Sequence, residues 1–242
     1  THSPALTSGG LRTIGIPESP PQERIEQPLR SRFPDLEIGY CARPGEVDLR
    51  LVGQSAHAVE RAAAFAASEL GDAVYAFGDD NLEDVVIRLA TAAGARLATA
   101  ESCTGGHLAD RLTNVPGASA AFLGAAIVYS NHEKSRQLGV PQDLIAKHGA
   151  VSEPVAAAMA EGCLARFDAD HAIALTGVAG PGPGSPDKPA GLCCIAHASR
   201  SGSRAERRTF PPDRPAFKHA ATQAALDILR RALLPPPVAP AP

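Results

Sequence analysis

Apolar and polar positions divide the chain into two stretches of different rhythm. Between Leu11 and Phe77, short apolar runs at Leu36 to Cys41 and Val47 to Val52 read as strands joined through Arg43-Pro44-Gly45-Glu46, because apolar residues bounded by turn formers favour extended backbone. Pro17 to Arg32 reads as a turn followed by a short helix, and Ala56 to Leu70 as an Ala-rich helix. These elements predict a small α+β module over residues 11–78. Gly78-Asp79-Asp80-Asn81 then interrupts the pattern with a polar break, where an Asp or Asn oxygen can accept from the first free amides of a helix over Leu82 to Ala93. The domain boundary is placed there, with a larger domain over residues 79–234.

From Asn81 onward helix and strand alternate. Apolar strands are expected at Arg96 to Ala100, Phe122 to Tyr129, Ala172 to Thr176 and Leu192 to Ala198. Helices are expected at Gly106 to Thr113, Glu153 to Arg166 and Ala216 to Leu233. Such alternation predicts an α/β domain with a three-layer α/β/α sheet architecture, in which ligands bind outside the carboxyl ends of the strands. Residues 1–10 are polar and Gly/Ser/Pro-rich and read as a flexible segment. Residues 235–242 are almost entirely Pro and Ala and read as a tail, a composition that extends as polyproline II.

Composition narrows the function classes. Among 242 residues, 46 are Ala and only 4% are aromatic, with no Trp, so stacking platforms for single-stranded nucleic acid are scarce. The 23 basic and 26 acidic residues leave a net charge of −3 without a Lys/Arg block, which argues against dedicated nucleic-acid binding. No run of 18 apolar residues appears, and Thr1 to Arg12 lacks the charged and apolar regions of an export signal, so no membrane association is expected and the reading is cytoplasmic. Five cysteines without a CxxC pair support neither a disulfide framework nor a zinc knuckle. Met159 is the only methionine, and the chain is therefore expected to derive from a longer one.

Three stretches carry candidate chemistry. Thr99-Ala100-Glu101-Ser102-Cys103-Thr104-Gly105-Gly106 follows an apolar strand and opens a helix, so its amides would converge with the positive helix end on an anion or a developing oxyanion. Ser102 is a candidate nucleophile there and Cys103 a rival, while Ser102 and Thr104 equally suit plain helix caps. At Tyr129-Ser130-Asn131-His132-Glu133-Lys134 a strand gives way to a helix, and Lys134 can return over the strand end. A lysine desolvated there loses proton affinity and can deprotonate a Ser hydroxyl, whereas a solvated surface lysine would not. Thr176 to Pro189 is a long Gly/Pro loop that permits close backbone approach to a ligand but is neither a Walker loop nor a dinucleotide fingerprint.

Taken together, Ala-Glu-Ser-Cys-Thr-Gly-Gly at 100–106, Tyr129-Ser-Asn with Lys134, His148-Gly-Ala-Val-Ser-Glu, and Thr176-Gly-Val-Ala-Gly-Pro resemble the C-terminal domain of the competence/damage-inducible CinA family, which is similar to nicotinamide-nucleotide amidases. The resemblance runs from about Asn81 to Leu233, and the first module resembles the family's small KH-like middle domain. It implies hydrolysis of the carboxamide of nicotinamide mononucleotide to the acid with release of ammonia, without metal or cofactor. It gives Ser102 as nucleophile, Lys134 as general base and Tyr129 as a hydroxyl that orients or relays the proton. Glu101, Thr104, Gly105, Gly106, Asn131, Thr176, Gly177, Gly180, Arg214 and Lys218 are the substrate-binding candidates.

Many relatives carry Gly-Asp-Arg and a second Arg four residues on; this chain has Pro212-Asp213-Arg214 and Lys218, a point charge in place of a bidentate fork. The expected partner is a small pyridine nucleotide, a homodimer is allowed, and an N-terminal molybdopterin-binding-like domain is expected in the longer chain. The alternative reading is a non-catalytic nucleotide-sensing or accessory protein linked to competence or the DNA-damage response. A Gly-x-x-Gly loop, which clamps nucleic acid in KH folds, is absent from residues 11–77.

Overall fold

The structure, a computed structural model, describes residues 6–15, 19–43 and 45–235, and the chain divides into two compact units, Thr1–Val85 and Val86–Pro242. The first contains β1 (Thr7–Ile14), α1 (Ser19–Arg32), β2 (Glu37–Arg43), β3 (Glu46–Gly53), α2 (Ala56–Leu70) and β4 (Val74–Phe77). Its sheet runs β2-β3-β1-β4 with every neighbouring pair antiparallel. Leu11 lies opposite Leu49 in the ladder, and both join Leu51, Ile25, Leu29 and Val59 in one apolar cluster under the helices.

This βαββαβ order, within the small α+β module expected, is the ferredoxin-like split arrangement. Two of its strands, β1 and the apolar run of β4, come in addition to the two expected at 36–41 and 47–52. Thr7 to Gly10, assigned from composition to a flexible segment, are strand residues, because pairing from Thr7↔Gly53 to Ile14↔Glu46 outweighs the weak strand preference of Ser and Gly. Residues 1–5, Pro17 of the expected turn, Pro44 of the connection between β2 and β3, and tail residues 236–242 lie outside the described residues.

After α3 (Leu82–Ala93), the second unit contains β5 (Leu97–Glu101), α4 (His107–Thr113), β6 (Phe122–Ile127), α5 (Asn131–Leu138), α6 (Gln142–His148), α7 (Glu153–Phe167), β7 (His171–Gly177), β8 (Gly184–Ser185), β9 (Lys188–Pro189), β10 (Leu192–Ser199), β11 (Gly202–Thr209) and α8 (Arg214–Leu233). Its five-stranded sheet runs β11-β10-β7-β5-β6, parallel among β6, β5 and β7 and antiparallel through β10 and β11. Ala98, Ala100, Ala172, Ala174, Ala196 and Ala198 alternate along three strands and pack in one cluster with Val155, Met159 and Cys163 of α7. Small residues on this face let the helix approach closely, which is where much of the chain's alanine is used. Helices α4 and α8 pack on each other and on the sheet, α4 against β5 and β6, α8 against β7 and β10, so the unit has the α/β/α layering.

Strand β11, Gly-Ser-Arg-Ala-Glu-Arg-Arg-Thr, was not expected because no apolar alternation marks it; it is a polar edge strand paired with β10 along its whole length. The expected strand to Tyr129 ends at Ile127, although the Val128 amide still donates to Glu101 O at 2.8 Å. Gly162 of α7 lies against the C-terminal end of α5, where a Cβ would overlap the Leu138 carbonyl. Among the described residues no helix is long and apolar enough to cross a membrane.

Candidate active site

Ser102 directly follows β5. Its amide donates to Leu175 O of β7 at 3.0 Å and the preceding Glu101 carbonyl accepts from Val128, so the turn that carries the hydroxyl is fixed from both neighbouring strands. Ser130 caps α5 by accepting from the Glu133 amide at 3.2 Å, which starts the helix in a direction that returns Lys134 over the end of β6. Lys134 Nζ lies 2.9 Å from Ser102 Oγ, 3.0 Å from Val128 O and 3.3 Å from Tyr129 O, and the side chain is only 1% exposed.

Lys134 Nζ donates to the two carbonyls and to Ser102 Oγ; when the amine is neutral, two N–H groups keep the carbonyls and its lone pair can accept from the Ser102 hydroxyl. Burial favours the neutral form: desolvation pushes the Lys134 amine below its ordinary value, opposed in part by the neighbouring Cys103 thiol.

Ser102 and Lys134 open into a cavity of about 400 Å³ whose lining includes Cys103, Tyr129, Asn131, Thr176, Gly177, Gly180 and Arg214. Within this group the roles differ from a uniform set of ligand contacts. Thr176 Oγ1 donates to Ala150 O at 2.9 Å and so holds the segment between α6 and α7, and Arg214 Nη2 donates to Gly180 O at 2.6 Å. Tyr129 is 67% exposed and its hydroxyl makes no hydrogen bond among the described residues; its carbonyl, not its hydroxyl, touches Lys134.

Five other sequence candidates, Glu101, Thr104, Gly105, Gly106 and Lys218, fall outside the lining. Glu101 is fully buried, and its carboxylate accepts from the amides of Gly106 at 3.0 Å, Leu108 at 3.1 Å and Ala109 at 2.8 Å. It caps α4 from the preceding strand, so it is a structural anion at the helix N-terminus and not a substrate contact. The same bonds correct the expectation that the Gly106 amide and the helix end are open to a ligand. Thr104 and Gly105 are outside the cavity lining, and the Thr104 hydroxyl is buried without a partner among the described residues. Lys218 is also outside the lining, with Nζ 3.9 Å from where a Cβ of Gly105 would sit.

The cavity also includes Ala150 and Val151, which lie beyond the expected site residues and belong to the His148-Gly-Ala-Val-Ser-Glu motif. Among the described residues no three His, Cys, Asp or Glu side chains gather as a metal site would require.

Fold and site together define an α/β protein with a buried serine–lysine pair beyond the carboxyl ends of its parallel strands. Residues 79–233 match the family model described as the CinA C-terminal domain, and the chain belongs to the CinA family. It is 44% identical over 217 residues to a CinA-like protein of Akkermansia muciniphila, covering 89% of this chain and 52% of that one. A CinA-like protein of Gemmatimonas aurantiaca is 41% identical over 235 residues, covering 95% and 55%. The chain thus spans about half the length of the curated relatives it matches. Among solved structures, a competence-damaged protein (CinA) superfamily protein from Klebsiella pneumoniae superposes with a TM-score of 0.61 at 36% identity, covering 63% of this chain and 95% of that one. The corresponding superfamily protein from Escherichia coli gives 0.60 at 31%, covering 67% and 98%.

Proposed function

We propose that this chain hydrolyses the carboxamide of nicotinamide mononucleotide, with Ser102 as nucleophile and Lys134 as base. The observation that carries the reading is the buried Lys134 amine 2.9 Å from a serine hydroxyl in a cavity large enough for a nucleotide. Lys134 takes the hydroxyl proton as Ser102 Oγ attacks the amide carbon, and the resulting ammonium returns that proton to the departing nitrogen, which leaves as ammonia. Water then repeats the sequence on the acyl-enzyme, releasing the acid and restoring both side chains.

Donors for the developing oxyanion come from the turn itself. The amides of Ser102 and Gly106 are already bonded, whereas that of Cys103, the residue after the nucleophile and part of the lining, has no partner among the described residues and is the donor we assign. Arg214, in the same lining and permanently charged, is the group assigned to the phosphate.

The test is ammonia release from nicotinamide mononucleotide by the purified protein and two variants. Ser102→Ala is expected to abolish turnover and Cys103→Ala to keep most of it. An active Ser102→Ala protein would remove the nucleophile from this reading, and no ammonia from the unaltered protein would remove the reading itself.

A further inference from the structure

Six residues of the cavity lining, Gly177, Val178, Ala179, Gly180, Gly182 and Gly184, come from the last residue of β7 and the connection that follows it to β10. Four of the six are glycine, so this stretch has few side chains with which to hold a shape. Its backbone bonds are sparse: Val178 N to Leu192 O at 2.8 Å, Gly191 N to Val178 O at 2.7 Å, Ala190 N to Pro183 O at 3.0 Å, and the two-residue pairing of β8 with β9. The Lys188 amide also donates to Ser185 Oγ at 3.2 Å and the Phe210 amide to Gly191 O at 2.8 Å, and cationic side chains add further ties. Arg214 holds Gly180 O from α8, and Arg207 holds Asp187 O from β11 at 2.6 Å.

Lys188 acts differently, because it belongs to the connection and reaches out of it. Its Nζ donates to His148 O at 2.8 Å, at the end of α6. The next residue, Gly149, has φ 73° and ψ 157°, a conformation reserved for glycine, and a Cβ there would overlap Lys188 Nζ. Ala150 and Val151 follow and line the cavity. The segment 148–151 is therefore gripped at two carbonyls two residues apart, His148 by Lys188 and Ala150 by Thr176.

We propose that Lys188 is a positioning residue that ties two separate stretches of the lining, 177–184 and 148–151, and so sets the width of the cavity for its nucleotide. The inference rests on the amidase reading of this site. Ser102 and Lys134 are held by β5, β6 and α5, so loss of the tie leaves the reacting pair in place and loosens the walls that grip the rest of the substrate. The burden then falls on binding: substrate must order the glycine-rich stretch that the lysine had ordered beforehand.

The experiment combines steady-state kinetics with amide hydrogen exchange on the full chain. Lys188→Ala is expected to raise KM about tenfold, the factor lost with one charge-assisted hydrogen bond, with kcat within about twofold. Exchange is expected to quicken in both 178–184 and 149–151. Lys188→Arg, which keeps a charged donor, should restore most of both properties.

An unchanged KM, or unchanged exchange in either segment, overturns the proposal. A Lys188→Arg protein as impaired as Lys188→Ala overturns it as well. If the unaltered protein releases no ammonia, the amidase reading falls separately, and the exchange comparison alone decides whether Lys188 ties the walls.

Discussion

Replacing Glu101 with Ala removes one carboxylate and strands three amides, and the structure sets the scale of the loss. The Leu108 amide is buried, whereas those of Gly106 and Ala109 belong to half-buried residues that water can partly reach. A buried donor left unmade costs about 1–3 kcal/mol and a partly hydrated one less, which puts Glu101→Ala at about 3–5 kcal/mol. That is a large share of the roughly 5–15 kcal/mol typical of a folded domain. Glu101→Gln keeps one oxygen for two amides but sets an NH2 group against the third, so about half the loss is expected. Urea denaturation followed at the second unit measures the total, and hydrogen exchange at Leu108 and Ala109 localises it to α4. A Glu101→Ala protein within about 1 kcal/mol of the parent, with both amides still protected, would refute the capping argument.

Lys134→Arg, always protonated, should be as inactive in ammonia release as Lys134→Ala, and the parent's activity should rise with pH through the lowered lysine pKa, because only the neutral amine accepts the serine proton. His171 Nδ1 and His197 Nε2 lie 2.9 Å apart, and burial, with His171 and Arg204 nearby, holds His197 at about 4. The unfolded chain binds that proton from about pH 6.5 downward, so the contribution is fully present above pH 6.5 and is lost as pH falls toward 4. About 2 kcal/mol should disappear between pH 7.5 and 5 in urea titrations, and His197→Leu should flatten that slope. Gly162→Ala should destabilise by about 1–3 kcal/mol and also lower turnover, since the displaced end of α5 belongs to the helix that carries Lys134; a fully active, equally stable variant would contradict the close approach.

The layered α/β class is legible wherever apolar runs are dense, as in β5, β7 and β10, whose residues are buried on both faces. Legibility fails where pairing rather than composition makes a strand. Thr7 to Gly10 looks like a loop and β11 like a charged linker, and both become strands because a neighbouring backbone is available. At the site, motif order brings Ser102 and Lys134 into one hypothesis, but motifs do not say which atoms of a residue are engaged. Glu101 and Tyr129 show the gap: one is turned onto backbone amides behind the strand end, and the other reaches the lysine through its carbonyl. Lys188 carries no signal at all in the sequence, since its partner is a main-chain oxygen 40 residues away.

The serine and the lysine meet across a single strand interface, that between β5 and β6, and the two carbonyls that orient the amine lie only five and six residues from it in the chain. Opening therefore has an order. The β10–β11 edge, with its solvent-facing strand, can fray and reclose many times without touching either reacting group, whereas any fluctuation that parts β5 from β6 breaks the pair at once. Loss of turnover on warming should accordingly lag behind the first amides to exchange in β11 and coincide with those of β6, which makes enzymatic activity a reporter of one particular seam in the sheet.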